Sequence, residues 1–179
     1  FLYADLYLPE NIQLMKQIVP DMKKLVYIGD GRQINQNNAA IIEEELRANY
    51  PHIKFQFLSS EKMTTNQLLD SLYYVDSKTT GVLFASWYYK STFAGNTWLA
   101  TNSHKLIATA NAPLFSLNFI DIASGKDGMV GGYTNDQGEY NQRLTQVMAE
   151  ILGGKQARDI PFYIPVDGAP VINYEVLLR

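Results

Sequence analysis

Short continuous apolar runs alternate along this chain with stretches whose apolar positions recur every three or four residues. Lys24-Leu-Val-Tyr-Ile-Gly-Asp30 and Gly81-Val-Leu-Phe-Ala-Ser86 are runs that stop at polar turns. That is the pattern of strands buried on both faces of a parallel sheet. Residues 52–58 alternate and predict a further strand, as do 112–117, 129–133 and 162–164; Pro113 suits a strand start. Helical spacing predicts helices over 10–19, with Ile12, Met15, Ile18 and Val19 on one side and Pro20 as the stop, and over 37–49, with Ala39, Ile42 and Leu46 inward. A helix over 64–75 opens on a Thr64–Gln67 capping box, and another is expected over 96–110. The last long helix, 136–152, carries Asp136 and Glu139 as its capping pair, with Leu144, Val147, Met148 and Ile151 facing inward.

Strands that alternate with helices so regularly predict an α/β fold, a three-layer sandwich around a mostly parallel sheet. With 179 residues and no internal boundary, the chain reads as a single lobe. Its core is expected over 8–164 and a C-terminal connector over 165–179, with 171–178 reaching toward a neighbouring domain. The chain opens on Phe1 without an initiator methionine or signal peptide, so a processed form or a piece of a longer chain is expected.

Composition narrows the function classes. The net charge of −3 gives nucleic-acid binding little support. No apolar run approaches the roughly 18 residues needed to span a bilayer. Cysteine is absent, which excludes disulfides and thiolate metal sites. His52 and His104 lie far apart with no ligand partner nearby. Gly29-Asp-Gly31-Arg32 lacks dinucleotide-fingerprint spacing, and Gly131-Gly132 reads better as a close backbone approach than as a phosphate loop. No serine sits in a nucleophile elbow. The acidic pair and central aspartate of a phosphoacceptor domain are missing, since Ala85-Ser-Trp87 offers no acid. No catalytic residue, cofactor or metal is expected.

Ligands of an open parallel sheet bind beyond the carboxyl ends of its strands. Those ends carry Asp30 and Arg32, Ser59 and Ser60, Ser86 with Trp87, Tyr88 and Tyr89, and Asn118, with Asn135 as a further candidate end. Trp87 or Tyr88 would stack on a flat ligand face, while Asp30, Arg32, Ser86 and Asn118 would supply polar contacts. Each has a plainer role beside it. Loop aromatics also pack against the sheet, Asp30 also suits a helix cap or turn, and Arg32 suits an exposed position.

Several segments also carry a family resemblance. Gly128-Met-Val-Gly-Gly132, Tyr133-Thr-Asn-Asp-Gln-Gly138, Ile151-Leu-Gly-Gly-Lys155 and Asp159-Ile-Pro161 resemble the closing part of the sugar-receptor-like (type I) periplasmic binding proteins. Residues 11–20 with 23–30, and Pro113-Leu-Phe-Ser116, resemble the second lobe of the tryptophan/tyrosine-type ABC substrate-binding family. Asn173-Tyr-Glu-Val-Leu-Leu-Arg179 resembles the final segment before a membrane helix in sensor kinases that carry this domain. The resemblance implies a flavodoxin-like lobe whose first-lobe partner, from the same chain, precedes Phe1. It implies an unidentified small-molecule ligand and no chemistry within this domain. It also implies a periplasmic location, with membrane attachment only through the parent chain. The expected setting is the extracytoplasmic sensor of a two-component, often hybrid, histidine kinase, signalling by ligand-linked lobe closure. The substrate-binding component of an ABC transporter is the alternative, and a dimerising interaction module without a small ligand is the other class.

Overall fold

The computed structural model describes residues 2–3, 6–87, 106, 109–123, 125–161, 164–165 and 167–178. The main body is a six-stranded sheet in the order β3-β2-β4-β5-β6-β8. Its strands are β2 (Lys24–Gly29), β3 (Lys54–Ser59), β4 (Thr80–Phe84), β5 (Leu114–Ser116), β6 (Gly131–Asn135) and β8 (Gly168–Ile172). All neighbours pair in parallel except β6 and β8. Strand alternation sends Leu25, Tyr27, Leu83 and Phe115 to one face, where α1 (Leu8–Ile18) and α2 (Gln33–Asn49) cover them. Val26, Ile28, Val82, Phe84 and Leu114 go to the other, against α3 (Thr65–Tyr73). The expected α/β sandwich with a mostly parallel sheet is the observed fold.

Local signals account for most boundaries. The Thr64 side chain accepts the Gln67 N–H, and the Gln67 side chain accepts the Thr64 N–H at 2.8 Å, closing the predicted capping box. After the short α4 (Phe119–Ile122), Asp136 caps α5 (Gln137–Leu152) by accepting the Glu139 N–H at 3.0 Å. The Gly131-Gly132 pair is a close approach: a Cβ on Gly132 would run into the Ser116 carbonyl oxygen. The expected helix over 96–110 and Phe162 and Tyr163 of the last expected strand lie outside the described residues, apart from Leu106, Thr109 and Ala110.

Three differences from the sequence expectation matter. First, the tail is no connector. β8 forms the sixth strand, and α6 (Tyr174–Leu177) is held by Asn173, whose buried side chain donates to the carbonyls of Ile122 and Gly125. Second, β1 (Leu2–Tyr3) and β7 (Ile164–Pro165) pair in a separate two-stranded sheet, and α5 lies against β1. Third, the apolar face of α5 does not point inward. Leu144, Met148 and Ile151 are 40%, 54% and 48% exposed, and no residue of the helix is buried.

The chain passes between these two bodies at one place, the carboxyl edge beside β6. Tyr7 begins α1 there, Asn135 and Asp136 leave, and Asp167 and Gly168 return. Asn11 clasps the passages together. Its fully buried amide donates to the Tyr7 and Tyr133 carbonyls at 3.0 and 2.9 Å, and accepts the Tyr133 N–H at 2.8 Å. The rings of Tyr7 and Tyr133 meet at 5.2 Å, and a Cβ on Gly168 would strike both at 2.6 Å.

Candidate functional site

The carboxyl ends of β2, β4 and β5 carry one connected polar array. Asp30 follows β2 and is buried. The Arg32 backbone N–H and Nε donate to its Oδ1 at 3.0 and 2.9 Å, and Nε also reaches Oδ2 at 3.1 Å. Ser86, just beyond β4, donates to Oδ2 at 2.9 Å. Asn35, in the first turn of α2, donates to Oδ1 at 2.8 Å and to the Ser86 hydroxyl at 2.9 Å. Arg32 Nη2 donates to the same hydroxyl at 3.0 Å. Behind them the Tyr27 hydroxyl donates to Asn35 Oδ1 at 3.0 Å and accepts from Asn38 at 3.3 Å.

This wiring fixes the electrostatics. Burial alone would raise the Asp30 pKa, but the hydrogen bonds from Arg32, Ser86 and Asn35 outweigh it and hold the carboxyl below its usual value. Tyr27 is pushed up to about 12, chiefly by burial, with the Asn38 hydrogen bond opposing. Asp30 is therefore an anion whose oxygens are engaged inside the protein. Arg32 is the outward group of the pair, with its side chain 53% exposed. A planar guanidinium held at its Nε side by a buried carboxylate is pre-oriented for an anionic or carbonyl ligand group.

Asn118 extends the array by one strand. Its amide donates to the Ala85 carbonyl at 2.9 Å and to Asp121 at 3.1 Å, and its backbone N–H donates to Ser116 Oγ at 3.0 Å. Asp30, Arg32 and Ser86 thus touch one another, and Asn118 ties the residue next to Ser86 to the end of β5. Asn118 is exposed and acts here as a staple between strand ends.

Trp87 stands apart from the stacking role expected of it. It is 1% exposed, packed with Leu68 and Phe84, and its indole N–H donates to Thr65 Oγ1 at 3.1 Å. A ring enclosed in this way presents no face to a ligand, and the packing role is the one observed. Tyr88 lies outside the described residues. Asn35, Tyr27, Asn38, Thr65 and Asp121 take part without having been singled out. The only sequence signal for Asn35 and Asn38 is a cluster of amides after Gly-Asp-Gly, where α2 begins four residues earlier than its periodicity suggests.

Among the described residues no group of three or more His, Asp or Glu side chains is placed to hold a metal. An apolar groove lies at the opposite, amino-terminal edge, lined by Ile18, Ala112, Leu114, Met129 and Val130.

No protein-family profile and no curated protein matches this chain. Solved structures do share its fold. A conserved domain protein from Vibrio cholerae O1 biovar El Tor str. N16961 aligns over 96% of this chain and 54% of its own, with a TM-score of 0.65 and 14% identity. The ABC domain from Streptococcus pneumoniae in complex with L-Trp aligns over 99% of this chain and 57% of its own, with a TM-score of 0.61 and 13% identity. The chain spans about half the length of each. Identities this low establish a shared α/β fold and nothing finer.

Proposed function

We propose that this chain forms one lobe, and the beginning of a second, of a receptor that holds a small molecule between them. The carrying observation is that the polar array and all three chain passages share the carboxyl edge of one sheet. On this reading, a second lobe built on the β1–β7 sheet would face Asp30, Arg32 and Ser86 across that edge. A two-stranded sheet is marginal by itself, and the bare apolar face of α5 matches a helix made to be covered by that same body. A cleft formed this way binds by population shift, because a ligand touching both lobes favours the closed state by its differential affinity. The solved relative of this fold that holds L-Trp supports small, partly aromatic zwitterions as the first ligands to try.

The setting we favour is the extracytoplasmic sensor of a histidine kinase, on the resemblance of residues 173–179. Delivery of a solute to a permease is the second reading, and the L-Trp-bound ABC domain supports it. In neither does this domain carry out a reaction.

The test is a thermal-shift screen of the full-length protein against amino acids, sugars, nucleosides and small anions. A saturable rise in Tm for one class, about 2.7 kcal/mol of added stability at a hundred times Kd, is the expected result. A flat response to every class, together with a stable homodimer in solution, would replace this reading with an interaction module. Ligand-dependent autophosphorylation of the parent chain separates the sensor from the transporter component.

A further inference from the structure

β3 ends the main sheet, and among the described residues no strand pairs with its outer side. The ladder to β2 fixes which groups face that side. The Lys54 and Ser60 N–H groups donate to the Lys23 and Gly29 carbonyls at 2.8 and 3.2 Å, so even-numbered residues bond inward. The peptide groups of Phe55 and Phe57 therefore point outward. Open edges are usually blunted by proline, bulges or charge. The opposite edge is blunted in this way, since β8 carries the exposed Pro170. β3 pairs with β2 over six residues without a bulge. It has no proline, and its one charged residue is Lys54 at its start. Beside it lies a groove of about 350 Å³, lined by Ala39, Ala40 and Glu43 of α2 and by Phe55, Phe57 and Lys62.

We propose that this edge pairs with a second copy of the chain, β3 against β3, antiparallel about a twofold axis through Gln56. Three features favour a second copy over a foreign strand. The first is register. With Gln56 on the axis, Phe55 stands opposite Phe57 of the second copy. Both bond outward, so the pair exchanges backbone hydrogen bonds, and the twofold repeats it. Their side chains lie on the face that α1 and α2 cover, where cross-strand aromatic pairs stabilise a sheet. The second is charge. Reversing direction brings the carboxyl end of one groove to the amino end of the other. Lys62 sits at the first end, and Glu43, past the middle of α2, lies toward the second, so unlike charges meet. Glu61, beside Lys62, accepts from the Gln36 amide at 3.4 Å. The third is closure. A twofold contact uses the same patch on both copies and leaves no β3 edge for a third, while Pro170 bars head-to-tail growth on β8. β3 is also at the far side of the sheet from β6, so the passages to the second body stay clear. The pairing is independent of whether a small molecule binds at Asp30, Arg32 and Ser86.

Residues 1–179 contain no cysteine, so single-cysteine crosslinking reads the register directly. The experiment uses the full-length protein, with any cysteine outside these residues replaced by serine. Gln56 and Lys54 are both exposed and share a face. On the axis, the two Cα atoms at position 56 stand about 4.5 Å apart, within disulfide reach. The two copies of position 54 are out of step by about 13 Å, beyond that reach. The expected result under mild oxidation is a disulfide-linked dimer of Gln56→Cys and little of it for Lys54→Cys. Sedimentation equilibrium should show a wild-type dimer and roughly fivefold weaker association for Gln56→Lys, which sets two ammonium groups together on the axis. Absence of the Gln56→Cys dimer, or equal linkage at both positions, would overturn the twofold pairing. Unchanged association in Gln56→Lys would also overturn it and place the dimer contact elsewhere. A wild-type monomer at every concentration would do the same and leave the edge to a strand of another protein.

Discussion

Four donor groups reach the two oxygens of Asp30, and two of them belong to Arg32. Because the folded carboxyl titrates below its ordinary value of 3.8, its ionised form contributes stability above that pH. The contribution is lost as pH falls through the depressed folded value. Asp30→Asn should lower stability by about 1–3 kcal/mol near neutrality and flatten the acid limb of a pH series of urea midpoints. Tyr27 works in the opposite direction. Its neutral form is favoured, so stability present below pH 10.0 declines as pH rises toward about 12. The decline is on the order of 2–3 kcal/mol and is absent in Tyr27→Phe. For Trp87, truncation to alanine should cost about 3–5 kcal/mol in denaturant stability and change ligand affinity no more than other core truncations. Asp30, Arg32 and Ser86 were legible in the sequence because a parallel strand announces its end by a switch from apolar to polar residues. Trp87 was not, because an aromatic just past a strand end suits a ligand face and a helix face equally well. Thr65, which receives its indole N–H, is distant in the chain and unremarkable in itself.

At the scale of elements, periodicity placed α1, α3 and α5 to within about two residues, started α2 four residues late, and misjudged what α5 faces; the helix expected over 96–110 lies almost wholly outside the described residues. The apolar spacing of α5 reports that some surface covers Leu144, Met148 and Ile151; it does not report which. In α1 and α2 that surface is the sheet of the same body, whereas α5 adjoins the short β1–β7 sheet and stays bare. Replacing Met148 and Ile151 with lysine should therefore change the stability of residues 1–179 alone by no more than about 0.5 kcal/mol per site. On the two-lobe reading, the same pair in a chain carrying the complete second lobe should lower the denaturant midpoint sharply, at about 2–5 kcal/mol for each residue buried there. Equal small effects in both would show that the face is a true surface. The tail was misread for a related reason. Pro170 and Gly168 argue against a central strand, and β8 tolerates them because it is the outermost strand, where Pro170 is exposed.

The whole molecule is organised around the clasp at Asn11. One buried amide joins the first passage to β6 by pairing with backbone groups of Tyr7 and Tyr133, so the two bodies are tied at a point fixed by hydrogen bonds. Asn11→Leu should remove these bonds and lower stability by about 2–4 kcal/mol, read as a lower denaturant midpoint. That Asn11 matters was invisible in the sequence, where it is one polar residue at the start of an amphipathic helix. Its partner at position 133 is set by tertiary geometry alone.

The pairing of β1 with β7 carries a consequence for how the protein is made. Leu2 lies opposite Ile164, so this ladder joins residues far apart in the sequence. β2, β3 and β4 pair through short local crossovers and can form early, while β1 must wait for β7, about 160 residues further along, to leave the ribosome. High sequence separation slows such closure, and the waiting strand is an open edge meanwhile. Pulse-labelled hydrogen exchange during refolding should protect the amides of β2 and β4 first and those of β8 late. A nascent chain halted before residue 164 would hold most of the main sheet and an unmatched β1, the state most open to chaperone capture.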